Sequence, residues 1–329
     1  MNTIFPDKLK PGDEVRVIAP VQSMALISSE TREIANKRFE ELGLKLTFGR
    51  HIEESDEFMS TSIQSRLEDL HDAFADKNVK AILTVIGGFN SNQLLRYVDW
   101  NLIKNNPKIF CGYSDVTILD NAILTKTGLV TYSGPHYSSF GQKLHFDYTL
   151  DYFKKALFES TPFEVTPSEK WSDDTWYKNQ DDRKLIDNHG CLVINEGEKV
   201  KGVIVGGNLN TFNLLQGTEY MPSLEDSILF MEDDSETKPK HFDRDLQSLI
   251  HQPGFDKVKG LVIGRFQNES EMSSVLLTKI IKTKKELDKI PVVASLDFGH
   301  TDPKITFPVG GVVEIDIKKD RQSIKILTH

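Results

Sequence analysis

Cysteine is scarce. The chain has two in 329 residues, Cys111 and Cys191, too few for a disulfide framework. Cys111 sits in an apolar run and reads as a small buried hydrophobe. No apolar run approaches the length that spans a membrane, and the opening MNTIFPDKLKPGDEV lacks the apolar core of a secretory signal. A reducing cytoplasm is the expected address. Basic excess is also missing. The net charge is −9 and the basic residues are scattered, which argues against nucleic acid or an anionic membrane as partner. Neither an H-E-x-x-H pattern nor clustered cysteine ligands occur, so no metal or organic cofactor is expected.

Apolar residues, at 38%, can fill a substantial core, and the length suits two domains. The first half alternates strand and helix patterns. Val15 to Ala19 and AILTVI read as buried strands, and Ala35, Phe39 and Leu42 then Ile63, Leu67, Leu70 and Phe74 as helical stripes. KIFC, a helix with Val116, Leu119, Ala122 and Ile123 inward, and GLVTY follow. This order predicts an α/β fold with a Rossmann-like parallel sheet over residues 1–160. Residues 161–190 are polar and aperiodic and read as an inter-domain linker or loop. Residues 191–329 read as a smaller, β-rich domain, from KGVIV and SILFM through GLVIG and PVVAS to GVVEIDI and SIKIL.

In KIFCGYSDVTIL, Ser114 stands at a sharp strand-to-helix corner. Such a corner exposes a hydroxyl beside a helix N-terminus, where a nucleophile can work and an oxyanion can be held. Val116 replaces the second glycine of G-x-S-x-G, and a helix cap by Ser114 or Asp115 explains the same residues. A serine nucleophile needs a base. His300, in the rigid loop DFGHTDPKITFPVG, is the informative histidine, and His136 in SGPHYSS competes. His71, His189, His251 and His329 read as solvated or helix-surface residues. An acid must orient the imidazole. LFMEDDSE supplies Glu232 at a strand end, with Asp233, Asp234 and Glu236 running outward, and Asp297 lies three residues before His300. Spacing does not choose among them. Gly87-Gly88 ends a strand, so the N–H groups of Gly88 and Asp115 can form an oxyanion hole. A dinucleotide turn fits poorly, because GGFNSN lacks the G-x-G-x-x-G spacing.

These segments together resemble the LD-carboxypeptidase and microcin C immunity family of serine peptidases. LKPGDEVRVIAP, GGFNSNQLL, KIFCGYSDVTIL, GVIVGGNLNTF, LFMEDDSE and DFGHTDP carry the resemblance nearly end to end. It implies a Ser114–Glu232–His300 triad, an oxyanion hole at Gly88 and Asp115, a nucleophile in one domain with acid and histidine in the other, and a homodimer. It also implies one of two small substrates, a muropeptide or a peptidyl-nucleotide. Trp171 and Trp176 in KWSDDTWY resemble the indoles that stack on a nucleotide base in the immunity branch, and favour the peptidyl-nucleotide; packing of the loop or a dimer contact also explains them. Asn208 joins them as a substrate-binding candidate, and Arg265 as a cation for a carboxylate or phosphate. A non-catalytic peptide- or nucleotide-binding module and a glutaminase-like amidotransferase are the competing classes; the latter uses cysteine where Ser114 stands.

Overall fold

The computed structural model describes residues 2–329 and contains two large sheets. The first has six strands, in the order Phe307–Val309, Thr131–Ser133, Ile109–Gly112, Val79–Thr84, Glu14–Ile18 and Lys45–Phe48. Its five N-terminal strands are parallel. Helices Ser29–Glu41 and Ile63–Ala75 cover it, each started by a serine cap: Ser28 accepts from the Thr31 N–H, Ser62 from the Ser65 N–H. Ala35 and Phe39, then Leu67, Leu70 and Phe74, turn into the core at helical spacing.

The second sheet has eight strands. Its centre is parallel: Val200–Asn208, Ser227–Glu232, Gly260–Gly264 and Val292–Leu296. Antiparallel strands extend both sides, Leu192–Asn195 on one and Val312–Ile317, Gln322–Thr328 and Phe163–Glu164 on the other. The C-terminal part is thus β-rich, and helices Pro239–Ile250 and Ser274–Lys282 accompany its parallel centre.

Helix Thr117–Thr127 joins the halves. Its Asn121 donates to the Gly206 carbonyl at 2.8 Å and accepts from the Gly206 N–H at 3.2 Å. The Asn208 N–H donates to Thr117 Oγ1 at 3.0 Å. Gly207 permits this approach: its φ is +134°, and a Cβ there would lie 2.3 Å from Thr117 Oγ1.

The edge strand Phe307–Val309 belongs to the chain's C-terminal part, yet it pairs antiparallel with Thr131–Ser133 of the first sheet. The segment between Leu296 and Phe307 therefore leaves one sheet and lands in the other, and it carries His300. Phe163–Glu164, in the expected linker, is an edge strand of the second sheet.

Three details differ from expectation. His329 is buried, its ring nitrogens near Lys8 Nζ (2.7 Å), the Ala156 carbonyl and the Thr161 carbonyl. Asp233 is buried rather than solvated, because the Thr237 hydroxyl and the Asn208 amide donate to it at 2.8 and 3.3 Å. Helix Asp147–Leu157 goes unread in the sequence, although Thr149, Tyr152, Phe153, Ala156 and Leu157 face the core at helical spacing. Its tyrosines, threonine and phenylalanine favour strands, which blurs that pattern.

Candidate active site

Strand Ile109–Gly112 ends one residue before the corner. Ser114 then takes φ +62°, left-handed and strained for a serine, and opens a 3-10 turn into helix Thr117–Thr127. No side chain caps that turn, and the Asp115 carboxylate accepts from the Ser91 N–H instead, so a capping role does not account for Ser114. Ser114 Oγ lies 3.0 Å from His300 Nε2, and His300 Nδ1 lies 2.7 Å from Glu232 Oε2. A carboxylate only accepts, so Nδ1–H donates to Glu232 and Nε2 is left to accept from the serine hydroxyl. Three residues 68 and 186 positions apart along the chain meet in one line of hydrogen bonds.

Burial drives the His300 imidazole toward neutrality. The Glu232 carboxylate, through its charge and its hydrogen bond, outweighs that and holds the group above its ordinary value. Asp297, the other candidate acid, is committed elsewhere: it accepts from the Ser168 N–H at 2.8 Å and from Arg265 at 3.1 Å. His136 is near but does not bond Ser114. Its Nδ1 is 2.7 Å from Thr84 Oγ1, its ring stacks on Tyr113 at 4.3 Å, and burial pushes it well below the ordinary histidine value. Tyr113 also meets His300, edge-on at 5.3 Å.

A cleft of about 290 Å³ lies over Ser114 and His300. The turn Gly87–Phe89 lines it together with Asp234, Ser235 and Gln267. Gly87 is so close that a Cβ there would stand 2.8 Å from Ser114 Oγ. Among the described residues, the N–H groups of Gly88 and Asp115 have no hydrogen-bond acceptor within the protein. Gly88 lines the cleft, and Asp115 directly follows the serine in the chain. Cys111 is buried beneath the corner and does not line the cleft. No group of three or more His, Cys, Asp or Glu among the described residues is placed to hold a metal ion.

Residues 15–134 match the LD-carboxypeptidase N-terminal domain, and residues 201–315 match the LD-carboxypeptidase C-terminal domain. The chain belongs to the LD-carboxypeptidase family. It is 51% identical over 326 residues to YocD of Bacillus subtilis (strain 168), which has carboxypeptidase in its name, covering 99% of this chain and 100% of YocD. The crystal structure of an MccF-like protein from Bacillus anthracis superposes with a TM-score of 0.98 at 55% identity, covering 99% and 100% of the two chains. The microcin C7 self-immunity protein MccF of Escherichia coli is 35% identical over 297 residues, covering 86% of this chain and 84% of MccF. A solved structure of MccF with glutamyl sulfamoyl guanosine matches with a TM-score of 0.89 at 30% identity, covering 98% of each chain. The protein is thus a serine-type carboxypeptidase of the LD-carboxypeptidase family.

In this family member the tryptophan loop is fastened beside His300 and to Gln267 at the cleft. Ser172 and Asp302 exchange backbone hydrogen bonds at 2.6 and 2.9 Å, two residues from His300. Gln267 donates to Asp173 at 2.9 Å and accepts from the Ser235 N–H at 3.0 Å. Arg183, buried, grips Asp174 at 2.8 Å and lies 3.9 Å from Asp302. Trp176 borders a separate cavity of about 460 Å³ beyond Asn268. Trp171 lies beneath the Arg265 guanidinium, 4.8 Å from its ring centre, in a ribbon paired with Ile186–Asp187. Arg265 is itself bound to Asp297 and Asn188. Asn208 is buried, capping helix Leu209–Asn213 and donating to Asp233. Gln22, Phe89 and Gln267 line the cleft without any local pattern that marks them in the sequence.

Proposed function

We propose that this carboxypeptidase hydrolyses peptidyl- or aminoacyl-nucleotides whose acyl group is carried on nitrogen, through an acyl-enzyme on Ser114. The bond line Ser114–His300–Glu232, opening on the cleft, carries the reading. Ser114 Oγ attacks the carbonyl carbon as His300 Nε2 takes its proton. The N–H groups of Gly88 and Asp115 hold the oxyanion. His300 returns the proton to the leaving nitrogen, the amide breaks, and water then hydrolyses the ester by the same relay. Glu232 fixes the imidazole's tautomer and steadies its charge.

Likeness to MccF, solved with an aminoacyl sulfamoyl nucleoside, supports the nucleotide. So does Trp176, which borders a cavity on the Gln267 side, where an indole can stack on a base for about 1–3 kcal/mol. A muropeptide is the second reading. It is favoured by Trp171, whose face the Arg265 guanidinium already covers. The free thiols of Cys111 and Cys191 fit a reducing compartment, and we place the protein in the cytoplasm as a homodimer. Residues 161–190 would connect an N-terminal domain to a C-terminal one.

Purified enzyme offered a peptidyl-adenylate analogue and an L,D muropeptide tetrapeptide tests this. Release of nucleotide, lost in Ser114→Ala, is the expected result. Cleavage of the tetrapeptide alone gives the muropeptide reading. Tight binding with turnover of neither gives a binding module.

A further inference from the structure

A cavity of about 490 Å³ lies between the tryptophan loop and the body, and it shares no lining residue with the triad cleft or the Trp176 cavity. Three segments enclose it: residues 142–148, residues 168–185, and Asp302-Pro303 just past His300. Arg183 lines it with a side chain only 1% exposed. Its Nε donates to Asp174 at 2.8 Å and its Nη1 to the Leu144 carbonyl at 3.3 Å. Nη2 is buried and has no hydrogen-bond partner among the described residues. Asp302 Oδ2 stays 3.9 Å away, and that carboxylate is already paired with buried Lys304. A guanidinium N–H shut away without an acceptor carries a cost, which an incoming anionic oxygen removes through a charge-assisted bond.

The other lining groups select the rest of the ligand. Asp147 and Glu169 line the cavity, exposed and in no ion pair among the described residues. Lys170, the lining cation next to Glu169, faces Asp187 at 3.8 Å. The Tyr148 ring, held by its hydroxyl donating to the Thr166 carbonyl at 2.7 Å, joins Leu185 and Pro303 as apolar surface. A cation short of an acceptor, two carboxylates short of a cation and an apolar wall match a zwitterion with an apolar side chain. A lone anion would meet the two carboxylates, and a lone cation the guanidinium. We propose that this cavity binds a free α-amino acid with an apolar side chain, its carboxylate on Arg183 and its ammonium toward Asp147 and Glu169. Such a ligand joins the loop to residues 142–148 and to Asp302, two residues from His300. It is thus an effector that holds the tryptophan loop against the body. The cavity is separate from the cleft, so the site stands whichever substrate the triad hydrolyses.

Calorimetric titration of the full-length protein with L-leucine should show saturable binding. L-Leucinamide lacks the carboxylate and 4-methylpentanoate lacks the ammonium, and each should bind about tenfold more weakly or worse. Asp147→Asn with Glu169→Gln should weaken leucine by a similar factor and leave 4-methylpentanoate where it was. Leu185→Trp should fill the cavity and abolish binding, with unfolding curves to confirm that each variant is folded; should Leu185→Trp fail to fold, the exposed acid pair alone decides. With leucine bound, the Lys184 N–H, which donates to Asp174, should exchange more slowly. No saturable leucine binding overturns the site. So does binding that the acid-pair variant and Leu185→Trp both leave intact, which puts leucine elsewhere on the protein. Binding of 4-methylpentanoate or inorganic phosphate as tight as that of leucine makes the cavity an anion site and overturns the zwitterion. Leucine binding that leaves Lys184 exchange unchanged overturns the effector role.

Discussion

Gly299 lies against Glu232. A Cβ on Gly299 would stand 2.5 Å from Oε2, the oxygen that faces His300, and 2.9 Å from the Glu232 Cβ. The glycine also holds φ +97°, where a side chain is strained. Gly299→Ala should push the carboxylate off the imidazole, and a misplacement of about 1 Å costs roughly a hundredfold in kcat. Steady-state kinetics, with a chemical unfolding curve to confirm folding, checks this; unchanged kcat would show that the contact tolerates the methyl.

Ser114→Ala should abolish turnover, by about a thousandfold or more. Ser114→Gly should be equally inactive yet more stable than Ser114→Ala by about 1 kcal/mol, because glycine relieves the left-handed backbone. Equilibrium denaturation of the two variants side by side decides it; an alanine variant at least as stable shows that the corner is not strained.

Activity should rise with pH through the His300 value, since only the neutral imidazole accepts the serine proton. Glu232 holds that value above the ordinary one, against burial. Glu232→Gln should therefore shift the acid limb of kcat/KM to lower pH as it lowers the rate about a thousandfold or more. For stability, a raised folded pKa favours the charged ring: the contribution is complete below the unfolded value, about 6.5, and fades as pH rises through the folded one. An acid limb that stays in place in Glu232→Gln would mean that another group sets it.

Asp233 behaves in parallel. Burial, then the neighbouring Glu232 charge, pushes its carboxyl up to about 8. Folding therefore favours its protonated form. Its contribution to stability is complete below the unfolded value, about 3.9, and is lost as pH rises toward 8. Asp233→Asn removes that dependence, so the variant should gain on the parent protein as pH rises across this window. Parallel unfolding curves at pH 5 and pH 8 test it; a difference that does not change with pH leaves Asp233 without this role.

Arg183→Ala should loosen the tryptophan loop. The guanidinium is buried against Asp174 and near Asp302, and removing one partner of a buried ion pair costs about 3–5 kcal/mol. The Lys184 N–H, which donates to Asp174, should lose protection from hydrogen exchange. Protection equal to the parent's would show that the ribbon and Asp173 hold the loop without Arg183.

The corner at Ser114, the glycine turn and the strand-end acid are legible because each is local: an apolar run stops, and small or charged residues follow. Choosing Glu232 over Asp297 is not local. It depends on Arg265 and Ser168 occupying Asp297, a fact of packing across distant segments. The fate of Trp171 is equally hidden, since it rests on a guanidinium far along the chain. Phe58 and Phe89 carry no local pattern that sets them apart from the other phenylalanines, and their exposure is a fact of the fold. The strand Phe307–Val309 reads as a C-terminal β segment, and nothing nearby reveals that it completes the other sheet.

That strand has a consequence for anyone dissecting the gene. A fragment of residues 1–160 would carry Thr131–Ser133 as an uncovered edge, its backbone groups open to pairing with any passing chain. The complementary fragment would lose Phe163–Glu164 from its own sheet if cut after residue 190. The C-terminal part completes the first sheet, so the imidazole is delivered to the serine by the same crossing that closes that sheet.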